Sequence, residues 1–366
     1  MSFKDFLGNE PTLRHLREAL AASRLPNALI LAGPRGAGKY TLAIMLAQAA
    51  NCLTPPHSPD GLPDFCGRCS SCERIGQSLD LDARVAEAIA IREDMRDIDK
   101  RDTRILIQTH PDVLVIPPDP PQLLIKIGQV RVLTREIYRV PAEARRAFSI
   151  FTSASFMKEA ANSLLKVLEE PPAYATIVLL AENPGELLPT IRSRAATFRL
   201  GAIPTGQIEK LLAERRPHDR PAERALIARL SEGAIGRALA FDLPAYLASR
   251  ADALVLLRNA IGQAENSDLF KVTETYRAGA EGQEKTEGLL RAAASLLEDL
   301  LLLKSETPHL VRNIDLQKEL ASMASAVTYE WIESAARGLR QVESGMRRNL
   351  LRSLSLDSFA TQLSER

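Results

Sequence analysis

The chain has 366 residues, 45% of them hydrophobic and 25% charged, with a formal net charge of +1. These values are ordinary for a folded globular protein, and the length predicts two or three domains. A net charge near zero gives no general attraction for nucleic acid or membrane surfaces, so any such contact would need a local patch. No apolar run approaches the ~20 residues of a membrane span, and the first residues lack the apolar segment of a signal peptide. We therefore expect a cytoplasmic protein with no membrane partner.

Residues 3–25 predict a lead-in helix, because leucines recur there at helical spacing. An apolar run at 28–32, a glycine-rich turn and a helix-prone run from Lys39 follow. The phosphate-loop pattern G-x-x-x-x-G-K is met by Gly33, Gly38 and Lys39, with Gly36 as a third glycine. In this order, backbone N–H groups and a helix N-terminus converge on a phosphate. The pattern predicts a phosphate loop and leaves bound ATP or ADP open.

The groups that would hold Mg²⁺ are missing from the sequence. The residue after the lysine should be Ser or Thr but is Tyr40, and Thr41 is rotated by about 100° around the helix axis. A third predicted strand, 147–151, should end in an acid that holds the metal, but 144–158 contain no Asp or Glu. Two independent losses at one site argue against a competent ATPase.

All four cysteines, Cys52, Cys66, Cys69 and Cys72, lie within 21 residues. Clustered cysteines in a cytosolic chain suggest a metal rather than disulfides. Four thiolates close a tetrahedral shell, which is typical of structural zinc. An iron–sulfur cluster and a group of free thiols are the alternatives, but the bacterial cluster pattern with its downstream Cys and Pro is absent.

Short apolar strands at 113–116, 147–151, 177–181 and 197–200 alternate with helical segments, which predicts a parallel α/β sheet over 1–200. His110 precedes the first of these strands and is expected to be a turn or core histidine. The stretch 79–104 is rich in charges of both signs and is expected to be a solvated insertion with no assigned function.

Together these motifs resemble one family. The lead-in helix, the phosphate loop, the four-cysteine insertion, His-Pro-Asp, Asn-Ser-Leu-Leu-Lys-Val-Leu-Glu-Glu-Pro-Pro and Ile-Arg-Ser-Arg occur in the order seen in bacterial clamp-loader AAA+ subunits of DNA polymerase III. Specific motifs carry the resemblance over residues 1–240, and helical character alone carries it beyond. The resemblance implies an AAA+ α/β domain over 1–202 with a zinc-binding module at 52–72. It further implies a small helical lid over 203–243 and an all-α collar over 244–366.

The resemblance also assigns site residues. Ser193 and Arg194 match the family's arginine-finger motif, in which the arginine reaches the ATP site of a neighbouring subunit, while Ala195 replaces the family's cysteine. The alternative for Arg194 is a surface or interface salt bridge. The family's lid arginine, which contacts the subunit's own nucleotide, falls here on Gly236, and Arg237 is shifted by one position. This is a third loss in the chain's own nucleotide site.

The resemblance therefore implies a non-motor clamp-loader subunit that lends Arg194 to a neighbour and has no ATPase or polymerase activity of its own. Its partners would be gamma/tau and delta subunits in a five-subunit ring, with the sliding clamp and primer-template DNA reached through the complex. One alternative is an active, gamma/tau-like clamp-loader ATPase. The other is a zinc-dependent nucleic-acid-binding protein, which the lack of a basic stripe with interleaved aromatics disfavours.

Overall fold

A computed structural model describes residues 2–56, 58, 60–263, 266–276, 280–346 and 351–364. These residues form two compact units, one of residues 1–204 and 233–237 and the other of residues 205–232 and 238–366. Helices of the expected lid and of the expected collar thus belong to one compact unit. The separate lid and collar domains stay a prediction. Among the described helices, none combines the length and the apolarity that a membrane crossing requires.

The first unit is built on a six-stranded sheet with the order β2-β3-β4-β5-β1-β6. The strands are β1 (Ala28–Ala32), β2 (Ile107–His110), β3 (Val113–Ile116), β4 (Ala147–Phe151), β5 (Ala175–Ala181) and β6 (Ala196–Arg199). All neighbouring pairs are parallel except β2 and β3, which are antiparallel. The strands that the sequence predicted are thus parallel, as expected, and the antiparallel pair comes from β2, which the sequence did not predict. Only Pro111 and Asp112 connect β2 to β3, and a two-residue connection permits only an antiparallel hairpin.

Helices cover both faces of this sheet. They are α1 (Glu10–Ala21), α2 (Lys39–Asn51), α3 (Ser70–Gly76), α4 (Leu81–Glu93), α5 (Asp97–Asp102), α6 (Ile127–Glu136), α7 (Lys158–Glu169) and α8 (Pro189–Arg192). The lead-in helix is shorter than predicted, because Gly8 and Asn9 have positive φ angles and separate α1 from a short turn at Phe3–Asp5.

Successive residues of a strand point to opposite faces, so each central strand contributes to two cores. On β1, Leu29 and Leu31 pack in the core beneath α1 and α2, whereas Ile30 packs in the opposite core with Val130 of α6 and Leu164 of α7. Because both faces are covered, β1, β3 and β5 are almost entirely apolar.

The second unit is helical in its described residues. Its helices are α9 (Thr205–Arg215), α10 (Pro221–Leu230), α11 (Ile235–Leu239, which begins in the first unit), α12 (Leu243–Ala260), α13 (Asn266–Thr273), α14 (Ala280–Lys304), α15 (Gln317–Ala326), α16 (Tyr329–Met346) and α17 (Arg352–Ser364). The apolar stripe of α14, which includes Leu289, Leu296 and Leu300, is buried in the core of this unit.

Candidate functional site

The phosphate loop occupies residues 33–38, between β1 and the first residue of α2. β1 lies between β5 and β6, and the loop leaves its carboxyl end. Gly36 and Gly38 have φ angles of +83° and +84°, a region that side chains with a Cβ rarely adopt. The predicted strand, glycine turn and helix are therefore confirmed as local structure, with Gly38 immediately before the helix.

The lysine of the loop is bonded to the loop itself. Lys39 Nζ donates hydrogen bonds to the carbonyl oxygens of Gly33, at 2.5 Å, and of Pro34, at 2.9 Å. Burial lowers the pKa of the Lys39 ammonium, and the carboxylates of Glu182 and Glu186 partly oppose that shift. Two of the three ammonium hydrogens thus point to carbonyls of the chain and not to open space in front of the loop.

The glycines of the loop make room for other parts of the same unit. The Gly36 carbonyl accepts a hydrogen bond of 2.8 Å from the Gly236 N–H. A Cβ placed on Gly36 would lie 2.7 Å from the Arg237 nitrogen, and one on Gly38 would lie 3.0 Å from the Phe6 ring. The backbone at Gly236, where the family's lid arginine was expected, therefore packs directly on the phosphate loop.

Tyr40 stands where a magnesium-binding hydroxyl is expected, but its phenol points elsewhere. Tyr40 Oη donates a 2.5 Å hydrogen bond to the Ser78 carbonyl, in the turn that follows α3. Burial raises the pKa of this phenol, which stays protonated. Thr41 is half-buried one position further along α2. The first turn of α2 thus fastens the loop to the segment after the cysteines.

The carboxyl ends of the parallel strands β4 and β5 lie at the same edge of the sheet as the phosphate loop. β4 ends at the buried Phe151, followed by Thr152 and Ser153, so no carboxylate is present where a metal-holding acid was expected. β5 lies between β4 and β1 and is followed by Glu182. Glu182 and Glu186 act electrostatically on Lys39 and were missed from the sequence, where only the acid-free β4 tip drew attention.

The loop therefore keeps the backbone shape of a phosphate site without the side chains of a magnesium–nucleotide site. Lys39 contacts backbone carbonyls, the carboxylates of Glu182 and Glu186 and the guanidinium of Arg35 act on it electrostatically, and the magnesium position holds a phenol directed at Ser78. These residues do not fit a magnesium–ATP complex.

Ser193 and Arg194 follow the four-residue helix α8, at the surface of the same unit. The Arg194 guanidinium donates to Glu169 Oε1 at 2.8 Å and to the Thr190 carbonyl at 3.0 Å. Ser193 Oγ donates to that same Thr190 carbonyl at 3.0 Å. About a third of the Arg194 side chain is exposed, so both sequence-predicted residues lie together at an accessible turn. The contact with Glu169 is a salt bridge, which was the alternative expected for Arg194.

The four cysteines converge, although Cys52 lies at the end of α2 and the other three lie in or before α3. Their sulfur atoms all lie within 4.8 Å of one another. In a tetrahedral zinc site with Zn–S bonds of about 2.3 Å, the sulfur atoms would be about 3.8 Å apart. Four sulfur atoms gathered this closely therefore fit a metal ion of this size.

Hydrogen bonds to sulfur lower the pKa of Cys66 and Cys69, whereas burial raises the pKa of Cys52 and Cys72. The Cys66 N–H donates to Cys52 Sγ, and the Cys69 N–H and the Thr54 hydroxyl donate to Cys66 Sγ, each at 3.3 Å. Burial alone would raise the pKa of the Cys66 thiol, but the hydrogen bonds from the Thr54 hydroxyl and from the N–H groups of Arg68 and Cys69 lower it to about 6. A metal binds the thiolate, so a lowered pKa assists ligation.

His110 connects the sheet to this cluster and is a core histidine, as expected. The side chain is fully buried, its Nδ1 accepts the Asp112 N–H at 3.2 Å, and its Nε2 lies 3.4 Å from Ser71 Oγ. Burial lowers the pKa of the imidazole, which is consistent with a neutral ring. His110 therefore supports α3 and is not needed as a fifth metal ligand.

The comparisons with known proteins agree with this combination of fold and motifs. The sequence model of the family described as DNA polymerase III, delta subunit, matches residues 8–204, which is more than half of the chain. The chain belongs to this family.

Several curated relatives carry related names. DNA polymerase III subunit tau of Escherichia coli (strain K12) is 28% identical over 65% of this chain and 32% of that protein. DNA polymerase III subunit delta' of Bacillus subtilis (strain 168) is 29% identical over 60% of this chain and 56% of that protein. The chain spans about a third of the first relative and just over half of the second. The expected resemblance to clamp-loader subunits of DNA polymerase III, with both delta' and tau among the relatives, is confirmed.

A solved structure also aligns with the chain. It is that of a DNA polymerase III gamma subunit-related protein from Thermotoga maritima, 18% identical, with a TM-score of 0.37 over 97% of this chain and 99% of that one.

Proposed function

We propose that this chain is a delta-prime-type subunit of a bacterial clamp loader, a subunit without its own motor activity. It would take part in ATP-dependent loading of the sliding clamp onto primed DNA and lend Arg194 to the ATP site of a neighbouring subunit. Its partners would be gamma/tau and delta subunits in a five-subunit AAA+ ring, with residues 203–243 as lid and 244–366 as the collar that joins the ring. Membership of the DNA polymerase III delta family supports the proposal.

The observation that carries the proposal is the contrast between two cations of the first unit. Lys39 is bonded to its own loop carbonyls and lacks both magnesium-holding groups. Arg194 is exposed on a surface turn, where another chain could reach it. A subunit that lends a cation to a neighbour needs only the second feature, whereas a motor subunit needs the first site complete.

The chemistry of the lent group follows from the guanidinium. Phosphoryl transfer spreads negative charge over the oxygens of the transferred group, and a positioned cation stabilises this charge. Arginine suits this role because its guanidinium is planar, always protonated and able to donate several N–H bonds in fixed directions. In this proposal the neighbour supplies the lysine, the magnesium and the water, and the present chain supplies Arg194.

Zinc is proposed as a structural cofactor held by the four cysteines. Four sulfur ligands leave no open position for substrate, so the ion would stabilise the region between α2 and α3 and take no part in catalysis. The hydrogen bond from Tyr40 to Ser78 would connect this zinc module to the phosphate loop.

The test is a reconstituted clamp loader from the same bacterium, assayed with clamp, primed DNA and ATP. Arg194→Ala should lower ATP hydrolysis at the adjacent site by about 10³-fold. The total rate of the complex should then fall by the contribution of that one site, while the complex still assembles. Lys39→Ala should leave the rate of the complex unchanged. Arg194→Lys serves as the matched control, because it keeps the charge but loses the planar fork.

The same assay identifies the principal alternative. If the isolated chain hydrolyses ATP at a rate typical of motor subunits, and Lys39→Ala abolishes it, the chain is a gamma/tau-like ATPase and the proposal is wrong. Unchanged turnover in the Arg194→Ala complex would remove the finger role.

A further inference from the structure

The exposed end of α7 lies against the turn that carries Arg194. Glu169 is the last residue of α7, and two prolines follow one residue later. Prolines cannot continue a helix and constrain the residue before them, so the helix ends at a fixed place. There the Glu169 carboxylate accepts a hydrogen bond of 2.8 Å from Arg194 Nη2. The Glu-Glu-Pro-Pro motif therefore places the Glu169 carboxylate within hydrogen-bond distance of the Arg194 guanidinium.

The other contacts of Arg194 leave part of its guanidinium open. Nη1 donates to the Thr190 carbonyl at 3.0 Å and approaches Ser193 Oγ at 3.4 Å. A guanidinium has five N–H donors, and these two contacts and the Glu169 bond engage three of them. Among the residues that the structure describes, none accepts a bond from the remaining two, which are one N–H on Nη2 and the N–H on Nε. The side chain is thus held on one side and open on the other.

We propose that Glu169 is a positioning residue for Arg194, one that fixes the rotamer in which the two open donors face outward. The inference rests on the proposed finger role and adds to it a reason for the first glutamate of the Glu-Glu-Pro-Pro motif. Arginine has several freely rotating bonds, and a finger that must first find its orientation loses part of its catalytic effect. The Glu169 carboxylate and the Thr190 carbonyl restrict the rotamers of Arg194 before its guanidinium meets the nucleotide phosphates of the neighbouring subunit.

Glu170 is a matched control on the same helix end. It is exposed like Glu169, and its backbone carbonyl accepts a hydrogen bond from the Tyr138 hydroxyl, but among the described residues its carboxylate forms no hydrogen bond or ion pair with Arg194. Alanine at position 170 therefore removes the same charge from the same helix end without touching Arg194. Both glutamates are exposed enough that neither substitution should prevent folding.

The experiment measures steady-state ATP hydrolysis by the reconstituted complex at saturating clamp and primed DNA. Glu169→Ala should lower kcat at the affected site by about three- to tenfold and leave the KM for ATP unchanged, because a finger contact strengthens in the transition state. Glu169→Gln, which keeps an acceptor oxygen, should lose less than Glu169→Ala. Glu170→Ala should behave as the unmodified complex.

A double-mutant cycle separates the inference from the function on which it rests. In an Arg194→Ala background, Glu169→Ala should have no further effect, because its only route to the reaction is gone. If Arg194→Ala lowers hydrolysis but Glu169→Ala does not, the positioning role is wrong and the finger role stands. An equal loss from Glu169→Ala with and without Arg194 also overturns it. If Arg194→Ala itself has no effect, both proposals fail.

Discussion

The phosphate loop and the α8 turn of the first unit each carry a cation with a proposed or expected role, Lys39 and Arg194, and the two have different surroundings. Lys39 is half-buried and contacts two carbonyls of its own loop, with Glu182 and Glu186 within electrostatic range. Arg194 is held by one exposed carboxylate and one carbonyl on the surface. The first cation completes an internal structure, whereas the second can be offered to another molecule.

This difference teaches that a glycine-rich loop can persist for structural reasons. Gly36 makes room for the backbone at Gly236 and Arg237, and Gly38 lies against the Phe6 ring. Both contacts are made by the chain itself. The loop sequence is therefore evidence of ancestry and packing, and evidence of nucleotide binding has to come from the residues around it.

Loss of the proposed zinc should have the largest effect on stability. It should destabilise the region next to the phosphate loop more than the turn that carries Arg194. Cys72→Ser breaks the four-sulfur shell at a fully buried position. Because metal binding contributes directly to folding, we expect the free energy of unfolding to fall by about 5 kcal/mol or more. Urea unfolding with zinc analysis measures this, and hydrogen exchange should rise around α2 and α3 more than around Arg194.

Ser70→Ala is the control for that variant, because Ser70 is exposed at the start of the same helix. A purified chain that holds less than one zinc per molecule, and a Cys72→Ser variant as stable as this control, would contradict the structural-zinc proposal.

Gly36→Ala should have the next largest effect. The added Cβ would lie 2.7 Å from a backbone nitrogen, in a residue with a φ angle of +83°. We expect a loss of about 2–4 kcal/mol in the free energy of unfolding without any nucleotide present. Gly61→Ala provides a matched control, since Gly61 has a φ angle of +70° but no atom within 4 Å of the added Cβ.

The difference between the two glycine variants isolates the contact with residues 236 and 237 from backbone strain. If both variants lose the same amount, the loop is not held by that contact, and the structural explanation for its glycines is wrong.

The sequence predicted the sheet well where strands are buried on both sides. β1, β3 and β4 were placed with their observed bounds, because a continuous apolar run is the signature of a strand covered on two faces. β2 was missed because Gln108 and Thr109 interrupt its pattern and it lies at the edge of the sheet. The antiparallel pairing of β2 and β3 was lost with it.

The candidate site was likewise predicted only in part: its local sequence patterns were found, and its long-range contacts were not. The glycine loop and the cysteine spacing are local patterns, so the sequence located both. The contacts of Gly36 with Gly236 and of Arg194 with Glu169 join residues far apart in the chain. No periodicity or spacing encodes them, because they depend on how the elements pack.

Tyr40→Phe tests whether the phenol has a structural task in place of a metal-binding one. The variant removes the hydrogen bond to Ser78 and leaves that carbonyl without this donor. We expect a loss of about 1–2 kcal/mol in the free energy of unfolding. Tyr40→Thr restores the short hydroxyl, but we expect no magnesium-dependent nucleotide binding in a titration, since the acid after β4 is still missing. Tight magnesium-dependent nucleotide binding by Tyr40→Thr would show that the tyrosine side chain by itself prevents binding at this site.

The smallest expected effect concerns the stability of the Arg194 turn. The Arg194–Glu169 pair is exposed, with about a third and a half of the two side chains accessible, and exposed pairs contribute about 0–1 kcal/mol. Arg194→Ala should therefore change the free energy of unfolding by less than about 0.5 kcal/mol in urea titrations.

Arg146 provides the contrast within the same unit. Its partly buried guanidinium donates to Asn27, Thr176 and the Leu25 carbonyl, so Arg146→Ala should cost about 2–3 kcal/mol by leaving those acceptors without this donor. If Arg194→Ala proved as costly as Arg146→Ala, the surface arginine would be explained by stability alone. A negligible cost, combined with the loss of hydrolysis in the assembled complex, leaves its action on a neighbouring subunit as the reason for its place in the sequence.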